Sequence, residues 1–462
     1  MRIQSAVLSC RRVLAGVAGI AWLVGCGEPE PATSTDRYLE AAVQVGEWLQ
    51  SVSRNGTGGE APDEISLDAT SGSLGTGAAG RAIFFAELFA ATGDTTFQGS
   101  SARAAVAARE WAAEEAERVG LYNGLAGVAL ALTEVALATD DAELRDYAEG
   151  IFRSVMAAGD RENPGPAWGG VNDILAGTAG IGVSLLYAAD HFDDPSFLDA
   201  AVRAGDDLLG VADRTPQGDV RWMRGSEMPL DLPNFSHGTA GVAFFLAQLG
   251  KAAGQGRFTA AARAGADYLD RISAQEDGLF LVPYGVPDEG YSTPHDIGWA
   301  HGPAGTARLH YELWMQAGDA EMRTRVDQNA RTLLASGIPG PSADSTLWVG
   351  PFGVDKRFGT SGAAEFLIDW GSAVGNEAYL SAASEIVQDI LGRATESERG
   401  LYWSLPRYGF QGGEGTAVFT GYFYGAAGLG LTLLRQHYAE RGEYPTIRLP
   451  DDPFPIRARV VD

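Results

Sequence analysis

The sequence predicts an all-α protein, an α/α toroid in which seven helical hairpins form a double-layered barrel. The main observation is a Gly-x-x-Gly motif that occurs seven times, each time followed by an apolar segment of helical length. A more polar segment with helical periodicity precedes each motif, and no strand-rich block interrupts the pattern. Such repeats indicate an array of similar supersecondary units. The motifs begin at Gly77, Gly124, Gly177, Gly238, Gly302, Gly359 and Gly425.

The apolar segments are predicted to form an inner layer of helices, and the polar segments an outer layer. A helix that is apolar on all sides is buried, whereas an amphipathic helix exposes one face. Each polar helix is expected to pair with the apolar helix that follows it. An open solenoid is the alternative, but the polar terminal repeats that it needs are not evident. The outer helices are predicted at Arg37–Ser53, Phe97–Arg118, Asp140–Ala158, Pro195–Leu209, Arg257–Ile272, Ala320–Leu334 and Glu377–Leu391.

The glycine pairs need a physical reason, because a glycine inside a helix costs about 1 kcal/mol relative to alanine. Residues i and i+3 share one helix face, so a pair strips that face and lets a neighbouring helix or a ligand approach the backbone. The inner helices would all begin at one end of the ring, here called the mouth. Their unpaired N–H groups and partial positive charge would favour an anionic ligand there.

Composition and charge limit the function classes. Apolar residues make up 45% and charged residues 20% of the chain, as in an ordinary globular protein. The net charge of −26 leaves no basic stripe that could neutralise phosphates, which argues against nucleic-acid binding. We expect a monomer whose only membrane contact is a lipid anchor.

The N-terminus has the pattern of a bacterial lipoprotein signal peptide. Arg2, Arg11 and Arg12 precede an apolar run that is too short to span a membrane and that ends in Leu-Val-Gly-Cys26. We expect Cys26 to be lipidated and to anchor the protein in the cell envelope, outside the cytoplasm; an ordinary secreted protein is the alternative. The predicted segments are a signal peptide at 1–25, a tether at 26–35, the toroid at 36–440 and an extended tail at 441–462.

The cysteine count excludes several chemistries. Cys10 lies in the predicted signal peptide, so the mature chain would carry only the lipidated Cys26. Disulfides, cysteine-rich metal sites and a thiol nucleophile are therefore excluded together.

The loops that precede the inner helices are rich in tryptophan and contain short β-like runs, such as 278–283 and 400–404. In a toroid these loops would gather at the mouth. The tryptophans would then either close that end as a cap or form an aromatic wall that binds a ligand. The five residues, one in each of five consecutive loops, are Trp168, Trp222, Trp299, Trp348 and Trp403.

Three of these loops carry motifs that resemble the lanthionine synthetase C-like family. The motifs are Asn172-Asp173-Ile-Leu-Ala-Gly177, Phe235-Ser-His237-Gly238 and Trp299-Ala-His301-Gly-Pro-Ala-Gly305. The resemblance covers roughly residues 36–440 and implies that Asp173 and His237 are active-site residues. It also implies a zinc ion, held by two cysteines and a histidine, that activates a substrate thiol. The thiolate then adds to a dehydrated serine or threonine and forms a thioether ring.

This chain departs from the family at the zinc ligands. By position the first cysteine falls on Ala300, and the Cys-His pair falls on Arg357 and Phe358. None of these side chains is a zinc donor, so we expect no zinc or other cofactor. A relocated metal site is an alternative, built from His237 and His301 with His295, Asp296 or Asp173 as a third ligand. We expect these histidines to hydrogen-bond the loops instead.

Three functions stay open, and whether the chain is an enzyme stays open with them. The first is a zinc-free member that binds a peptide or another anionic ligand in the central cavity, with His301, Arg357, Tyr424 and Trp299 as ligand-binding residues. The second is an active, thioether-forming cyclase-like enzyme. The third is a glycan hydrolase or lyase, for which the candidate carboxylates are Asp173, Asp296, Asp369 and Glu414. If the ring closes, we expect a convergence at the mouth of Asp173, His237, His301, Arg357 and Tyr424.

Overall fold

The structure is a computed structural model, and most of the residues that it describes lie in α-helices. The described residues are 34–54, 71–115, 117–159, 167–225, 230–287, 295–340, 353–406 and 415–454. The predicted signal peptide, Cys26 and the first residues of the tether lie outside them. Among the described residues, no helix is long and apolar enough to cross a membrane.

Seven inner helices follow the seven glycine motifs. The first eleven residues of α2, from Ala78 to Leu88, are all buried, as expected for a helix that is apolar on every side. The inner helices are α2 (Ala78–Thr92), α4 (Leu125–Thr139), α6 (Thr178–His191), α8 (Thr239–Ala252), α10 (Pro303–Ala317), α12 (Thr360–Val374) and α14 (Ala426–Arg441).

Seven amphipathic helices form the outer layer, within a few residues of their predicted bounds. In α5, for example, only Ala148, Ile151, Phe152 and Val155 are buried. The outer helices are α1 (Ser34–Arg54), α3 (Thr95–Glu114), α5 (Ala142–Ala158), α7 (Ser196–Gly210), α9 (Gly256–Ile272), α11 (Ala320–Ala335) and α13 (Glu377–Gly392).

The ring is closed. Each inner helix packs against the next inner helix, and the last, α14, packs against the first, α2. This closure confirms the predicted α/α toroid and rules out the open solenoid. Among the described loop residues, short strands form three antiparallel pairs: β1 (Asp213–Arg214) with β2 (Val220–Arg221), β3 (Thr395–Ser397) with β4 (Gly400–Tyr402), and β5 (Ser404–Pro406) with β6 (Thr416–Val418).

The pairing of the helices differs from the prediction. Each inner helix packs chiefly against the outer helix that follows it, and α1 packs against α14. The reason is the length of the connections: only Gly93 and Asp94 separate α2 from α3. Gly93 adopts a left-handed conformation and ends α2, while the Asp94 side chain accepts from Thr96 N and begins α3. The long loops instead join each outer helix to the next inner helix.

The glycine pairs make room for the chain's own loops. This differs from the prediction that they would let a neighbouring helix or a ligand approach the backbone. A Cβ atom on Gly241 would lie 2.1 Å from Phe235 O, and one on Gly305 would lie 2.0 Å from Trp299 O. In both cases the obstructing carbonyl belongs to the residue six positions earlier. The loop therefore folds back onto the first turn of its helix, where only glycine fits.

The C-terminal segment after α14 runs inside the ring rather than over its surface. Glu87, on α2, accepts hydrogen bonds from Thr446 N (2.9 Å) and Ile447 N (2.7 Å). Gln248, on α8, donates to Pro450 O (3.2 Å). Phe454 is fully buried. Residues 441–444, at the start of the predicted tail, are exposed, whereas the segment from Ile447 to Phe454 enters the centre of the barrel.

Candidate functional site

Backbone hydrogen bonds join neighbouring loops around the mouth. Ala300 N donates to Arg357 O (2.8 Å), and Ser236 N donates to Ala300 O (2.9 Å). Similar bonds join the loops of Lys356 and Phe423, and of Phe423 and Gly75. These bonds fix the distance between loops that are far apart in sequence, so the side chains they carry come together.

In five of the inner helices that the structure describes, the first N–H group donates to the chain's own loop and is not available to a ligand, contrary to the prediction. Leu125 N donates to Arg118 O (2.7 Å), and Thr178 N donates to Val171 O (2.8 Å). The acceptor is in each case the carbonyl seven residues earlier, because the loop folds back over the helix start. Any affinity of the mouth for an anion must therefore come mainly from side chains.

Asp173 and His237 bridge the loops of the third and fourth motifs. Asp173 Oδ2 lies 2.7 Å from His237 Nδ1, and Asp173 Oδ1 accepts from Ala176 N (2.7 Å) and Gly177 N (3.1 Å). Burial raises the pKa of Asp173, but its hydrogen bonds to His237 and Ala176 and the charge of Arg224 outweigh burial and lower that pKa overall. Asp173 is therefore ionised at neutral pH.

His237 is held as a neutral imidazole. Burial lowers its pKa; Asp173 opposes this effect, whereas the charges of Arg357 and Arg224 add to it. Arg357 Nη2 lies 3.0 Å from His237 Nε2, and a guanidinium can only donate. Nε2 is therefore the acceptor, and Nδ1 carries the proton that is donated to Asp173. Both ring nitrogens of His237 are thus engaged.

Arg357 is the half-buried cation at the centre of this group. Its Nη1 donates to Tyr424 Oη at 2.6 Å, and its guanidinium carbon lies 4.8 Å from the centroid of the Phe358 ring. Burial raises the pKa of Tyr424, which keeps the phenol neutral. A chain of hydrogen bonds therefore runs from Asp173 through His237 and Arg357 to Tyr424.

The residues at the expected zinc position do not fit zinc. Ala300 is fully buried and presents a methyl group, and Phe358 presents a ring beside the Arg357 guanidinium. A permanently charged cation repels a metal ion, and none of the three side chains is a donor. Within the described part of the chain, no group of three His, Cys, Asp or Glu side chains is arranged to hold a metal ion.

His301 lies beside this chain of hydrogen bonds. Its ring centroid is 5.6 Å from that of His237 and 4.2 Å from that of Tyr284, and its ring is parallel to Phe358. Only 1% of His301 is exposed, and burial together with nearby His237 holds its pKa well below the usual value. Nε2 is 3.5 Å from Ser236 Oγ, and Nδ1 has no hydrogen-bond partner among the described residues.

Asp296 adds a titratable acid to the mouth. Its Oδ1 accepts from Ile297 N (2.6 Å) and Gly298 N (3.3 Å). Burial raises the pKa of Asp296 to about 7, and the negative charge of Asp355 adds to this rise. The hydrogen bonds from the two N–H groups and the positive charge of Arg357 lower the pKa and offset part of the rise. His295, the other proposed metal ligand of this segment, is instead 3.1 Å from Val282 O through Nδ1.

Most of the described loop tryptophans anchor the outer layer and do not line the mouth. Each donates its indole N–H to a carbonyl near the C-terminus of the preceding outer helix: Trp168 to Val155 O, Trp222 to Leu208 O, and Trp403 to Ile390 O, all at 2.8 Å. These three residues are buried. These three residues therefore form neither a cap over the mouth nor an aromatic ligand wall; Trp348 lies outside the described residues.

Trp299 is different, because it belongs to an aromatic layer directly beneath the mouth. Its ring centroid lies 5.2 Å from Tyr122, 5.4 Å from Phe235 and 4.9 Å from Phe423. Each of these residues comes from a different loop. The layer separates the polar mouth from the ionic interior of the barrel.

Of the carboxylates proposed for a hydrolase, Asp173 and Asp296 belong to loops of the mouth, whereas Asp369 does not. Asp369 lies on α12, about 14 Å from the start of that helix at 1.5 Å per residue. It forms a buried ion pair with Arg435 inside the barrel. Asp369 therefore does not pair with Asp173 or Asp296 at the mouth, and Glu414 lies outside the described residues.

The family model described as lanthionine synthetase C-like protein matches residues 68–449. The chain belongs to the lanthionine synthetase C-like family. Among solved structures, nisin cyclase has a TM-score of 0.59 at 17% identity, over 87% of this chain and 94% of that one. This likeness shows the shared fold.

Two further solved structures resemble the toroid. The Lin0763 protein from Listeria innocua has a TM-score of 0.50 at 9% identity, over 88% of this chain and 99% of that one. The unsaturated glucuronyl hydrolase from Bacillus sp. GL1 has a TM-score of 0.45 at 16% identity, over 64% and 84%. A comparison with curated proteins finds no match.

Sequence reasoning missed three members of the site. Arg224 Nε lies 3.4 Å from Asp173 Oδ2, Tyr284 packs on His301, and Asp355 is buried beside the Arg357 loop. Asp355 could have been found, because it precedes Gly359 by four residues as Asp173 precedes Gly177. Arg224 and Tyr284 follow no motif, and only the folded loops bring them to the mouth.

Proposed function

We propose that this lanthionine synthetase C-like protein works without the zinc of its family and binds a ligand that carries a carboxylate, such as a peptide. The observation that carries the proposal is the position of Arg357. Its guanidinium stands where the family resemblance puts a zinc-binding cysteine, and it contacts both His237 and Tyr424. The cation of the site is thus part of the chain.

The chemistry of Arg357 supports a carboxylate as the ligand group. A guanidinium presents its N–H donors in a plane that matches the two oxygens of a carboxylate. Neutral His237 and neutral His301 add no competing charge, and His301 Nδ1 is a buried polar atom without a partner among the described residues. The aromatic layer around Trp299 supports an apolar segment next to the bound carboxylate.

The proposal also locates the protein at a membrane surface, on the basis of its N-terminal sequence. Lipidation of Cys26 would hold the toroid in the cell envelope, outside the cytoplasm. The net negative charge of the chain repels an anion at long range, and Arg357 and Arg224, as local cations at the mouth, offset that repulsion there.

The test is calorimetric titration with a matched pair of probes, acetyl-Ala-Ala-Ala with a free carboxylate and the same peptide with an amidated C-terminus. A hydrogen-bonded charge pair contributes about 1.5–3 kcal/mol, so the free acid should bind at least about tenfold more tightly. The Arg357→Gln variant should bind both peptides equally weakly. Arg331→Gln, which breaks an exposed pair with Asp327, is the control.

Metal analysis completes the test. The purified protein should retain no stoichiometric zinc through dialysis, and added zinc should not change the affinity for the probe. Equal binding of the acid and the amide by the wild type would contradict the carboxylate proposal. Stoichiometric zinc lost on changing His237→Ala would contradict the zinc-free proposal.

A second candidate function is zinc-free addition of a substrate thiol, as in the cyclase-like alternative. It is favoured by the 2.7 Å contact of Asp173 with His237, which fixes the tautomer whose Nε2 can accept a proton. Arg357 would have to move from Nε2 when the substrate binds. Incubation with a peptide that holds a cysteine and a dehydroalanine tests it: loss of free thiol that depends on His237 would support an enzyme.

A further inference from the structure

The C-terminal segment brings two neighbouring acids into the centre of the barrel. Asp452 forms ion pairs with Arg308 (3.2 Å) and Arg435 (3.0 Å), which come from α10 and α14. Asp451 is 2% exposed and accepts the indole N–H of Trp299 at 3.0 Å. The two carboxylates therefore have different partners: that of Asp452 binds arginines of two inner helices, and that of Asp451 binds a tryptophan of a mouth loop.

Trp299 connects the interior of the barrel to the mouth, because its indole contacts Asp451 and its backbone belongs to a mouth loop. Its ring belongs to the aromatic layer, and its indole nitrogen is the only polar atom of that side chain. The carboxylate of Asp451 therefore supplies the acceptor that orients the ring. Arg308 Nη1 in turn donates to Asp451 O (2.8 Å), which fixes the backbone of the tail at this point.

Ala300, the residue that follows Trp299, sets the distance between the loop of His237 and the loop of Arg357. Ala300 donates to Arg357 O and accepts from Ser236 N, and Ser236 precedes His237. The loop of Trp299 thus lies between the loop of His237 and the loop of Arg357. The 3.0 Å contact of Arg357 Nη2 with His237 Nε2 depends on this spacing.

We propose that Asp451 is a positioning residue of the mouth, which acts through Trp299 on the His237–Arg357 pair. The ligand-binding part of this inference rests on the proposed function. The family model match ends at residue 449, two residues before Asp451, so the contact is contributed by a segment beyond the matched region. In this view the C-terminal segment is part of the site and not only a filler of the barrel.

The experiment compares four variants of the full chain. Asp451→Ala removes the acceptor, Asp451→Asn keeps an oxygen that can accept the indole N–H, and Asp452→Asn weakens the neighbouring ion pairs without touching Trp299. The readouts are the His237 imidazole signals and the Trp299 indole signal in NMR spectra, the melting temperature, and the affinity for the free-acid probe acetyl-Ala-Ala-Ala. Trp299→Phe assigns the indole signal and replaces Asp451→Ala if that variant does not fold.

Asp451→Ala should shift the His237 signals and weaken probe binding about tenfold, while Asp451→Asn should stay within about twofold of the wild type. Asp452→Asn should lower the melting temperature but leave the His237 signals and the probe affinity unchanged. Unchanged His237 signals in both Asp451→Ala and Trp299→Phe would overturn the proposal. So would an equal shift in Asp452→Asn.

The two proposals fail separately in this design. If the wild type does not bind the probe, the proposed function fails, but the His237 and Trp299 signals still decide whether Asp451 positions the mouth. If the probe binds normally and the signals of Asp451→Ala match the wild type, the positioning role fails and the proposed function stands.

Discussion

Arg357 Nη2 lies 3.0 Å from His237 Nε2, although 120 residues separate the two in sequence. The contact exists because backbone hydrogen bonds of Ala300, in the loop of the fifth motif, join it to the loops of the fourth and sixth motifs. In this contact Arg357 donates to Nε2 of His237, and Nε2 is the nitrogen with which His237 would accept a proton as a general base. A bound carboxylate or a substrate must share Arg357 with His237 or displace it.

The tautomer of His237 should depend on Asp173. In Asp173→Asn the remaining oxygen can still accept from Ala176 N and Gly177 N, but an amide N–H₂ then faces His237 Nδ1. We expect the imidazole proton to move to Nε2, where it opposes Arg357, and the unfolding free energy to fall by about 2 kcal/mol. Imidazole ¹⁵N shifts and urea unfolding measure the two effects.

The control for this change is Asp206→Asn, which breaks an exposed ion pair with Arg257 on the outer layer. Exposed pairs contribute less than about 1 kcal/mol, so this variant should unfold almost as the wild type does. An Asp173→Asn protein in which His237 keeps its proton on Nδ1 would show that Asp173 does not select the tautomer.

Two glycine-to-alanine changes should have opposite effects on the stability of the fold. A Cβ on Gly241 would lie 2.1 Å from the backbone oxygen of Phe235, so Gly241→Ala should destabilise the fold by about 1–3 kcal/mol. A Cβ on Gly150, exposed in the middle of α5, would meet nothing within 4 Å. Gly150→Ala should therefore stabilise by about 0.5–1 kcal/mol, through the higher helix propensity of alanine.

Thermal unfolding of both variants checks this pair of expectations. If Gly241→Ala were as stable as the wild type, the loops would not fold back tightly on the inner helices. The explanation of the seven repeated motifs would then be wrong.

The sequence was sufficient for the ring and for much of the site. The motif glycines mark the inner helix starts, and Asp173, His237, His301, Arg357 and Tyr424 all lie within four residues before a motif glycine. Closing the ring therefore brings their loops together. The apolar segments and the amphipathic segments likewise gave the two layers, because burial on all sides and burial on one side produce different residue patterns.

Other features could not be predicted because they depend on contacts distant in sequence. The tail has no periodicity, so nothing in residues 443–454 indicates that Asp451 and Asp452 enter the barrel. The satisfied N–H groups at the helix starts depend on how each loop folds back. Asp369 was a candidate carboxylate for a hydrolase, but its position on α12 places it below the mouth, where it pairs with Arg435.

Membrane anchoring should depend on one cysteine. The chain has two cysteines, Cys10 and Cys26, and only Cys26 follows the lipobox-like sequence. Cys26→Ala should release the protein from the membrane fraction without unfolding it, whereas Cys10→Ala should leave it bound. Fractionation with metabolic labelling by a fatty acid measures both. Equal membrane binding of the two variants would contradict lipidation at Cys26.

The affinity of the mouth for an anion should fall as the pH rises through about 7. Burial gives Asp296 a pKa of about 7, whereas the lowered pKa values of His237 and His301 keep both imidazoles neutral in this range. Below pH 7 the protonated Asp296 is neutral and Arg357 attracts the carboxylate. Above pH 7 Asp296 becomes an anion beside the same cation, and it opposes a second negative charge.

We therefore expect the free-acid probe acetyl-Ala-Ala-Ala to bind about fivefold more weakly at pH 8 than at pH 6, a change of ~1 kcal/mol. Asp296→Asn should bind the probe equally at both values, because the amide does not titrate. Asp270→Asn, which alters a buried acid paired with Arg325 in the outer layer, should keep the wild-type slope. A slope that persists in Asp296→Asn would assign the titration to another group and remove Asp296 from the site.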